Sequence, residues 1–419
     1  MRFQVLDILP HIQNPVSGRL VTTAERYAQA LASARRAEEL GLDAVALGER
    51  HAGPFLSSGV TVLLGAIAAA TTRVRLQTGV SVLSILDPVR VAEDYATIDQ
   101  LSRGRLELVI GKGNEARQLP LFGIEPGQQW EALAEKYELL RRLWREENVT
   151  WSGRFRPPLR EATTLPRPYA GAPRVWHGSA TTHTSAALAA RWGDPLFSAN
   201  AIQPRDNYTV FLEHYRAEYA RHGHDPRYAY VAAGAGFLFL ADTTAEAREH
   251  FGPVYEKMVE FFNRPGNHTP GNEMTFRDID HAIAEGPVLV GSPQQIIDKI
   301  MYFHAGFGHD LQAFSLPTMI PHEQQLEMLE RLATEVIPVV RRAAPTTLWT
   351  DQDPYGGRPA FAGNQVADAA AVIAGAGAPT PADADAGAEK ETVARLVTAG
   401  QPVSGGWNAD RGTSPRQEG

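Results

Sequence analysis

The sequence predicts an α/β fold of the TIM, or (β/α)8, barrel type. Three observations carry that expectation. Eight short apolar and β-branched runs alternate with longer stretches of helical periodicity, and parallel strand neighbours require such crossovers. The count of eight favours a closed barrel over an open doubly wound sheet. The first run leads into Pro10-His11-Ile12-Gln13-Asn14-Pro15, not into the Gly-x-Gly-x-x-Gly turn that a dinucleotide fold wants there.

In chain order the strands are expected at 3–9, 44–47, 74–82, 105–110, 174–177, 195–198, 231–240 and 311–314. Helices are expected between and after them at 22–40, 57–70, 88–101, 128–145, 182–191, 204–221, 243–262 and 321–341. Thr22-Thr23 offers hydroxyl caps for a helix ending before Gly41, and Pro88 stands where a first-turn proline is tolerated. Ser292-Pro293 opens an additional helix through His304 by the same logic. Two stretches, 148–172 and 263–290, break the simple repeat. They are read as insertions on the C-terminal face that close over a site as lids. Residues 1–343 would form the barrel. From Ala344 the chain turns to Ala, Gly, Pro, Asp and Thr, so 344–419 is expected to be a disordered tail with room for a short helix near 389–398.

Composition narrows the function. Of the 419 residues, 43% are hydrophobic and 21% charged, as in an ordinary globular protein. A net charge of −8 argues against a general nucleic-acid binder, which needs clustered cations. The absence of cysteine removes disulfides, thiolate nucleophiles, Cys-ligated zinc and iron–sulfur clusters. No signal-peptide pattern opens the chain, and the longest apolar run, 60–70, is too short for a membrane helix. A soluble, cytoplasmic protein is expected.

In a barrel, chemistry gathers where the strands end at their C-terminal side. That rule selects His11 after strand one, Glu49-Arg50-His51 after strand two, and Gly111-Lys112-Gly113-Asn114 after strand four. It also selects His177 through Ser185 after strand five and Asn200 after strand six. Ser179, Thr181, Thr182 and Ser185 combine hydroxyls with a helix start, an arrangement suited to a phosphate; the alternative is that Thr181 or Thr182 simply caps the helix. Glycines around Lys112 permit close backbone approach, and its ammonium is either a phosphate partner or a solvated turn residue. His51 is the natural group for proton transfer near neutrality, unless Glu49 and Arg50 make a structural pair. His222, His224, His304 and His309 read as solvent-facing residues, with no acidic ligand set beside them.

The run Thr78-Gly79-Val80-Ser81-Val82-Leu83, then Asp87-Pro88-Val89-Arg90, then Leu101-Ser102-Arg103-Gly104-Arg105-Leu106 and Gly111-Lys112-Gly113 resembles the luciferase-like monooxygenases. Gly41-Leu42-Asp43, Glu49-Arg50-His51 and Gly291-Ser292-Pro293 extend the resemblance, which covers about residues 1–343. It implies a cis Gly79–Val80 peptide against a flavin ring. It also implies a phosphate site at Lys112, Asn114, Ser179, Thr181, Thr182 and Ser185. His11, His177 and Asn200 would line the substrate pocket. The implied reaction uses O₂ and reduced FMN, delivered by a separate flavin reductase, to oxygenate a small organic substrate through a C4a-peroxyflavin. The alternatives within the resemblance are an F420-dependent hydride transfer or a non-catalytic flavin-binding barrel. A homodimer through the helices near 57–70 and 88–101 is implied as well. One departure matters: Arg50 stands where luciferases carry their catalytic histidine. A proton-accepting role therefore does not transfer to it, and a permanent cation suits charge stabilisation instead.

Overall fold

The computed structural model describes residues 1–14, 17–179, 182–199, 204–264 and 273–355. They fall in one unit, Met1–Gly363; the second, Asn364–Gly419, lies outside the described residues. So does most of the expected tail, including the helix near 389–398.

Eight parallel strands close into a barrel: β1 Arg2–Asp7, β2 Ala44–Leu47, β3 Arg75–Thr78, β4 Leu106–Ile110, β5 Val175–Ser179, β6 Leu196–Ala199, β7 Val231–Leu240 and β8 Leu311–Ser315. The ring shuts where β6 pairs with β7 (Leu196↔Val231) and β8 with β1 (Leu311↔Arg2). All eight expected strands are present, joined in chain order by crossover connections that carry helices, as parallel neighbours require.

Strand alternation divides the residues into two sets. Phe3, Val5, Val45, Leu76, Leu106 and Leu108 pack outward in the main hydrophobic cluster with the helices. Ala44, Val109, Trp176, Ala232 and Ala313 belong to a separate cluster that fills the barrel. Polar groups within it answer one another. Gln4 Nε2 donates to Gln77 Oε1, Gln77 Nε2 to Glu107 Oε2 at 3.0 Å, and Trp176 Nε1 to Glu107 Oε2 at 2.7 Å.

The helix ends follow their caps. Thr22 and Glu25 form a reciprocal capping box on helix Thr23–Glu39. Asp87 accepts from Val89 N with Pro88 in the first turn of Pro88–Leu101, and Ser292 caps Pro293–Phe307. The helix expected at 321–341 is broken instead. His322–Arg331 passes through a π-helical turn, Leu332–Val336, before Ile337–Ala343. Pro338 lies just beyond this turn; it has no N–H to give, so the regular ladder cannot continue through it.

Three features depart from the expectations. The 148–172 insertion is an antiparallel hairpin, Val149–Trp151 with Leu159–Ala162, strapped outside the barrel. Glu135 accepts from Arg154 N and Phe155 N, and Arg156 Nε reaches Asp87 at 3.2 Å. Phe155 also packs on Val82, Ile85 and Ile124, and none of the hairpin's residues lines the cavity described below. The second insertion adds a helix, Ile279–Ala284, and a strand, Leu289–Gly291, which pairs with the outer end of β7.

Third, residues 344–355 are packed against the barrel, so the boundary expected at 343 falls too early. Leu348 and Asp353 are buried. Trp349 Nε1 donates to Glu107 Oε1 at 2.8 Å, Asp353 pairs with Arg174, and Arg75 lies over the Trp349 ring. Leu348 O accepts from Arg2 Nε at the start of β1, so the segment covers the N-terminal end of the barrel.

Candidate functional site

At the opposite end the strand termini surround a cavity of about 330 Å³. Sites for small ligands usually measure roughly 300–1,000 Å³.

Its floor is the end of β3. The Gly79–Val80 peptide is cis, and Val80 stands between two glycines. A Cβ on Gly111 would come within 2.9 Å of Val80 Cγ2, and one on Gly178 within 2.5 Å of Val80 Cγ1. The space beside Gly111 thus holds a valine side chain, not a ligand. Gly113, by contrast, has a φ of +78°, which glycine adopts without strain.

Glu49 ties β2 to this floor. Its carboxylate accepts from Val82 N at 2.8 Å and Ser81 Oγ at 3.3 Å, and His51 Nε2 lies 2.8 Å from its other oxygen. Glu49 lines the cavity and His51 does not; the imidazole packs edge-on against Phe122. His51 therefore reaches the cavity only through Glu49. Arg50 lines the wall, ion-paired with the buried Glu115 and resting over the Phe55 ring at 4.7 Å.

Lys112 and Asn114 line the cavity from the β4 loop. The Lys112 ammonium donates to Gly113 O at 3.0 Å and lies 5.8 Å from the Trp130 ring. Among the described residues no carboxylate reaches it within ion-pair distance, and burial lowers its pKa from the ordinary lysine value. Ser84 and Lys136 brace the loop from behind. Ser84 Oγ donates to Lys112 O, and Lys136 Nζ donates to Ser84 O at 2.7 Å, with burial bringing that ammonium down to about 8.

After β5, Ser179 and Thr182 line the cavity. Thr182 N donates to Ser179 Oγ at 3.2 Å, while the Thr182 side chain makes no capping bond to helix His183–Trp192. Its hydroxyl is not spent on the helix. Ser185, expected beside it, is buried and donates its hydroxyl to Thr182 O at 2.7 Å. It supports the loop from outside the cavity. Thr181 and Asn200 lie outside the described residues.

Two histidines expected in the pocket are elsewhere. His177 follows the inward Trp176 and so faces out, buried beside Tyr137 with Nε2 3.1 Å from Asp194. His11 bonds Val21 O at 2.8 Å on the first loop and does not line the cavity. His309, expected at the surface, is fully buried, and burial drives its pKa down to about 3.

Most of the remaining wall is apolar. Ile12, Phe237, Met258, Phe262, Met274 and Leu316 contribute it, with Trp130 beside Lys112. Phe262 lies 6.0 Å from Phe237 and 6.5 Å from Phe55, which joins the helix Thr244–Phe262 to the β2 loop. Of the second insertion, Met274 reaches the cavity. The sequence reading missed these side chains and Asp7, which also lines the cavity. Trp130 alone carried a usable signal, its place in the first turn of a helix entered from the rim.

The family model for luciferase-like monooxygenases matches residues 7–310. The chain belongs to that family. Among luciferase-like relatives, limonene 1,2-monooxygenase of Rhodococcus erythropolis is 26% identical over 282 residues, 65% of this chain and 71% of that protein. The F420-dependent glucose-6-phosphate dehydrogenase of Beutenbergia cavernae is 27% identical over 343 residues, 76% and 96% of the two chains. The oxygenase component of the trigonelline monooxygenase of Acinetobacter baylyi is 24% identical over 76% of this chain and 91% of its own. An uncharacterised Mycobacterium tuberculosis protein is 38% identical, but the match spans 33% of its length and 22% of this chain. In three dimensions the monooxygenase RslO1 of Streptomyces bottropensis superposes with a TM-score of 0.72 at 26% identity, over 81% of this chain and 99% of that one. Among the described residues no helix is long and apolar enough to cross a membrane.

Proposed function

We propose that this luciferase-like chain is an FMN-dependent monooxygenase acting on a small organic substrate. The observation that carries the reading is the donor set on one wall. Lys112 has no carboxylate partner among the described residues, and Thr182, whose N–H donates to Ser179 Oγ, offers a hydroxyl that its helix does not use. Such a set fits one phosphomonoester, the tail of FMN. The other cavity cation, Arg50, is already neutralised by Glu115. The longer F420 tail carries a phosphodiester and several carboxylates, so a wall with one uncommitted cation favours FMN. The dehydrogenase relative keeps F420 as the second reading.

When bound, reduced FMN supplies the activation of O₂. The chain's residues would do the rest. Lys112, Asn114, Ser179 and Thr182 hold the phosphate, with Thr181 expected to join them. The Gly79–Val80 floor supports the ring. The Glu49 carboxylate, backed by His51, would accept and return a proton at the cavity edge, and the Arg50 guanidinium balances negative charge near it. The apolar wall keeps water away.

The name of the trigonelline relative, an oxygenase component, supports a separate flavin reductase as partner. A homodimer fits Val62 on helix Val60–Ala70 and Leu101 on helix Pro88–Leu101, apolar side chains left 75% and 62% exposed. The test of the main reading mixes the protein with photoreduced FMN or reduced F420 in aerated buffer. Tight FMNH₂ binding with a reoxidation phase distinct from that of free FMNH₂ is expected. Tight F420 binding with FMNH₂ reoxidised at the free rate would overturn it.

A further inference from the structure

We infer that the substrate is an uncharged, largely hydrocarbon compound, selected because, among the described residues, every charged side chain on the cavity wall other than Lys112 is already engaged by hydrogen bonds or an ion pair within the protein. The inference rests on the flavin reading, which assigns Lys112 to the FMN phosphate.

Among the described residues four charged side chains line the cavity: Asp7, Glu49, Arg50 and Lys112. Both Asp7 oxygens accept from Arg26 Nη2 at 2.6 Å, and Leu9 N donates to Asp7 Oδ1 at 2.7 Å. Glu49 is held by Val82 N, Ser81 Oγ and His51. Arg50 is held by Glu115. An anionic substrate that entered beside the bound cofactor would find no uncommitted cation. A cationic one would find no uncommitted carboxylate. Either would shed its hydration for groups whose bonds are already made within the protein, which a cavity does not repay.

The surface left for the substrate is that of Ile12, Phe237, Met258, Phe262, Met274 and Leu316. It is built rather than incidental. Phe262 contacts both Phe237 and Phe55, and Phe55 in turn carries the Arg50 guanidinium on its face. Rings and two flexible thioethers form a wall that accepts varied hydrocarbon shapes without directed hydrogen bonds. Ser315 and Thr318 are the neutral polar side chains near Leu316 on the lining, sufficient to orient one carbonyl or hydroxyl.

The test is a titration of the full chain with three probes of matched size: cyclohexyl methyl ketone, cyclohexanecarboxylate and cyclohexylmethylammonium. The protein is first loaded with FMN, and binding is read from flavin absorbance and tryptophan fluorescence. The ketone is expected to bind at least tenfold more tightly than either ion. Met274→Lys should weaken the ketone at least tenfold and tighten the carboxylate, with FMN affinity changed less than twofold. Phe262→Ala, which adds no charge, should weaken the ketone several-fold and leave both ions as they were. A carboxylate or ammonium that matches the ketone on the wild-type protein overturns the inference, as does a ketone affinity untouched by both substitutions. Failure of the flavin reading shows separately, as absence of an FMN complex. The ranking is then read from fluorescence with inorganic phosphate present, and the same outcomes apply.

Discussion

Replacing Lys112 by Met removes the one cavity cation that lacks a carboxylate partner among the described residues. Methionine keeps the length and apolar stem, so the loop braced by Ser84 and Lys136 should survive. A hydrogen bond to a charged group contributes about 1.5–3 kcal/mol, which is roughly a 10- to 150-fold loss of FMN affinity. Riboflavin has the same ring and no phosphate, so its affinity should change less than twofold. The assay is quenching of flavin fluorescence with FMN and riboflavin on both proteins, closing a double-mutant cycle between side chain and phosphate. Burial lowers the Lys112 pKa, so the ligand-free site loses its charge at a lower pH than an ordinary lysine does. Wild-type FMN affinity should therefore decline with rising pH before the ordinary lysine range is reached, and Lys112→Arg should flatten that decline. If Lys112→Met weakens FMN and riboflavin equally, or neither, the phosphate lies elsewhere and the reasoning is wrong.

Further predictions concern the framework. Gly178→Ala drives a methyl into Val80 and should destabilise the protein by about 1–3 kcal/mol, seen by chemical denaturation; Val80→Ala in the same chain should recover much of it. His309 is buried and its pKa is lowered to about 3, below that of the unfolded chain. The unfolded state therefore takes up the proton first, so this stability is complete above about pH 6.5 and is lost as pH falls towards 3. By pH 4.5 the loss should reach about 3 kcal/mol, and His309→Gln should remove most of it; an unchanged acid profile would refute this. A chain ending at residue 343 loses Trp349 and Asp353 from Glu107 and Arg174, and breaking buried pairs of this kind costs about 3–5 kcal/mol. It should melt well below a chain ending at residue 355.

The barrel was legible because its signal is local and repeated: most strands are short apolar runs, and several helices are marked by caps such as Thr22, Asp87 and Ser292. The rim positions Glu49, Arg50, Lys112, Ser179 and Thr182 followed from the barrel itself, since strand ends converge. His177 failed for a reason the sequence already contained. Trp176 fills the barrel, so its neighbour must point out, and proximity to the rim cannot override a period of two. Ser185 is one helical turn too far along to face the cavity. The apolar wall was not legible, because Phe237, Met258 and Met274 meet Ile12 and Leu316 only through long-range closure. The C-terminal boundary was misplaced because an Ala- and Pro-rich average concealed Leu348 and Trp349, two large side chains that such a tail has no use for.

The most direct measurement of the central claim is a crystal structure of the FMN complex. The account predicts the isoalloxazine over Gly79–Val80, with its phosphate in hydrogen-bond reach of Lys112 Nζ, Ser179 and Thr182. A flavin bound anywhere but this rim, or one whose phosphate leaves Lys112 without a contact, would contradict it.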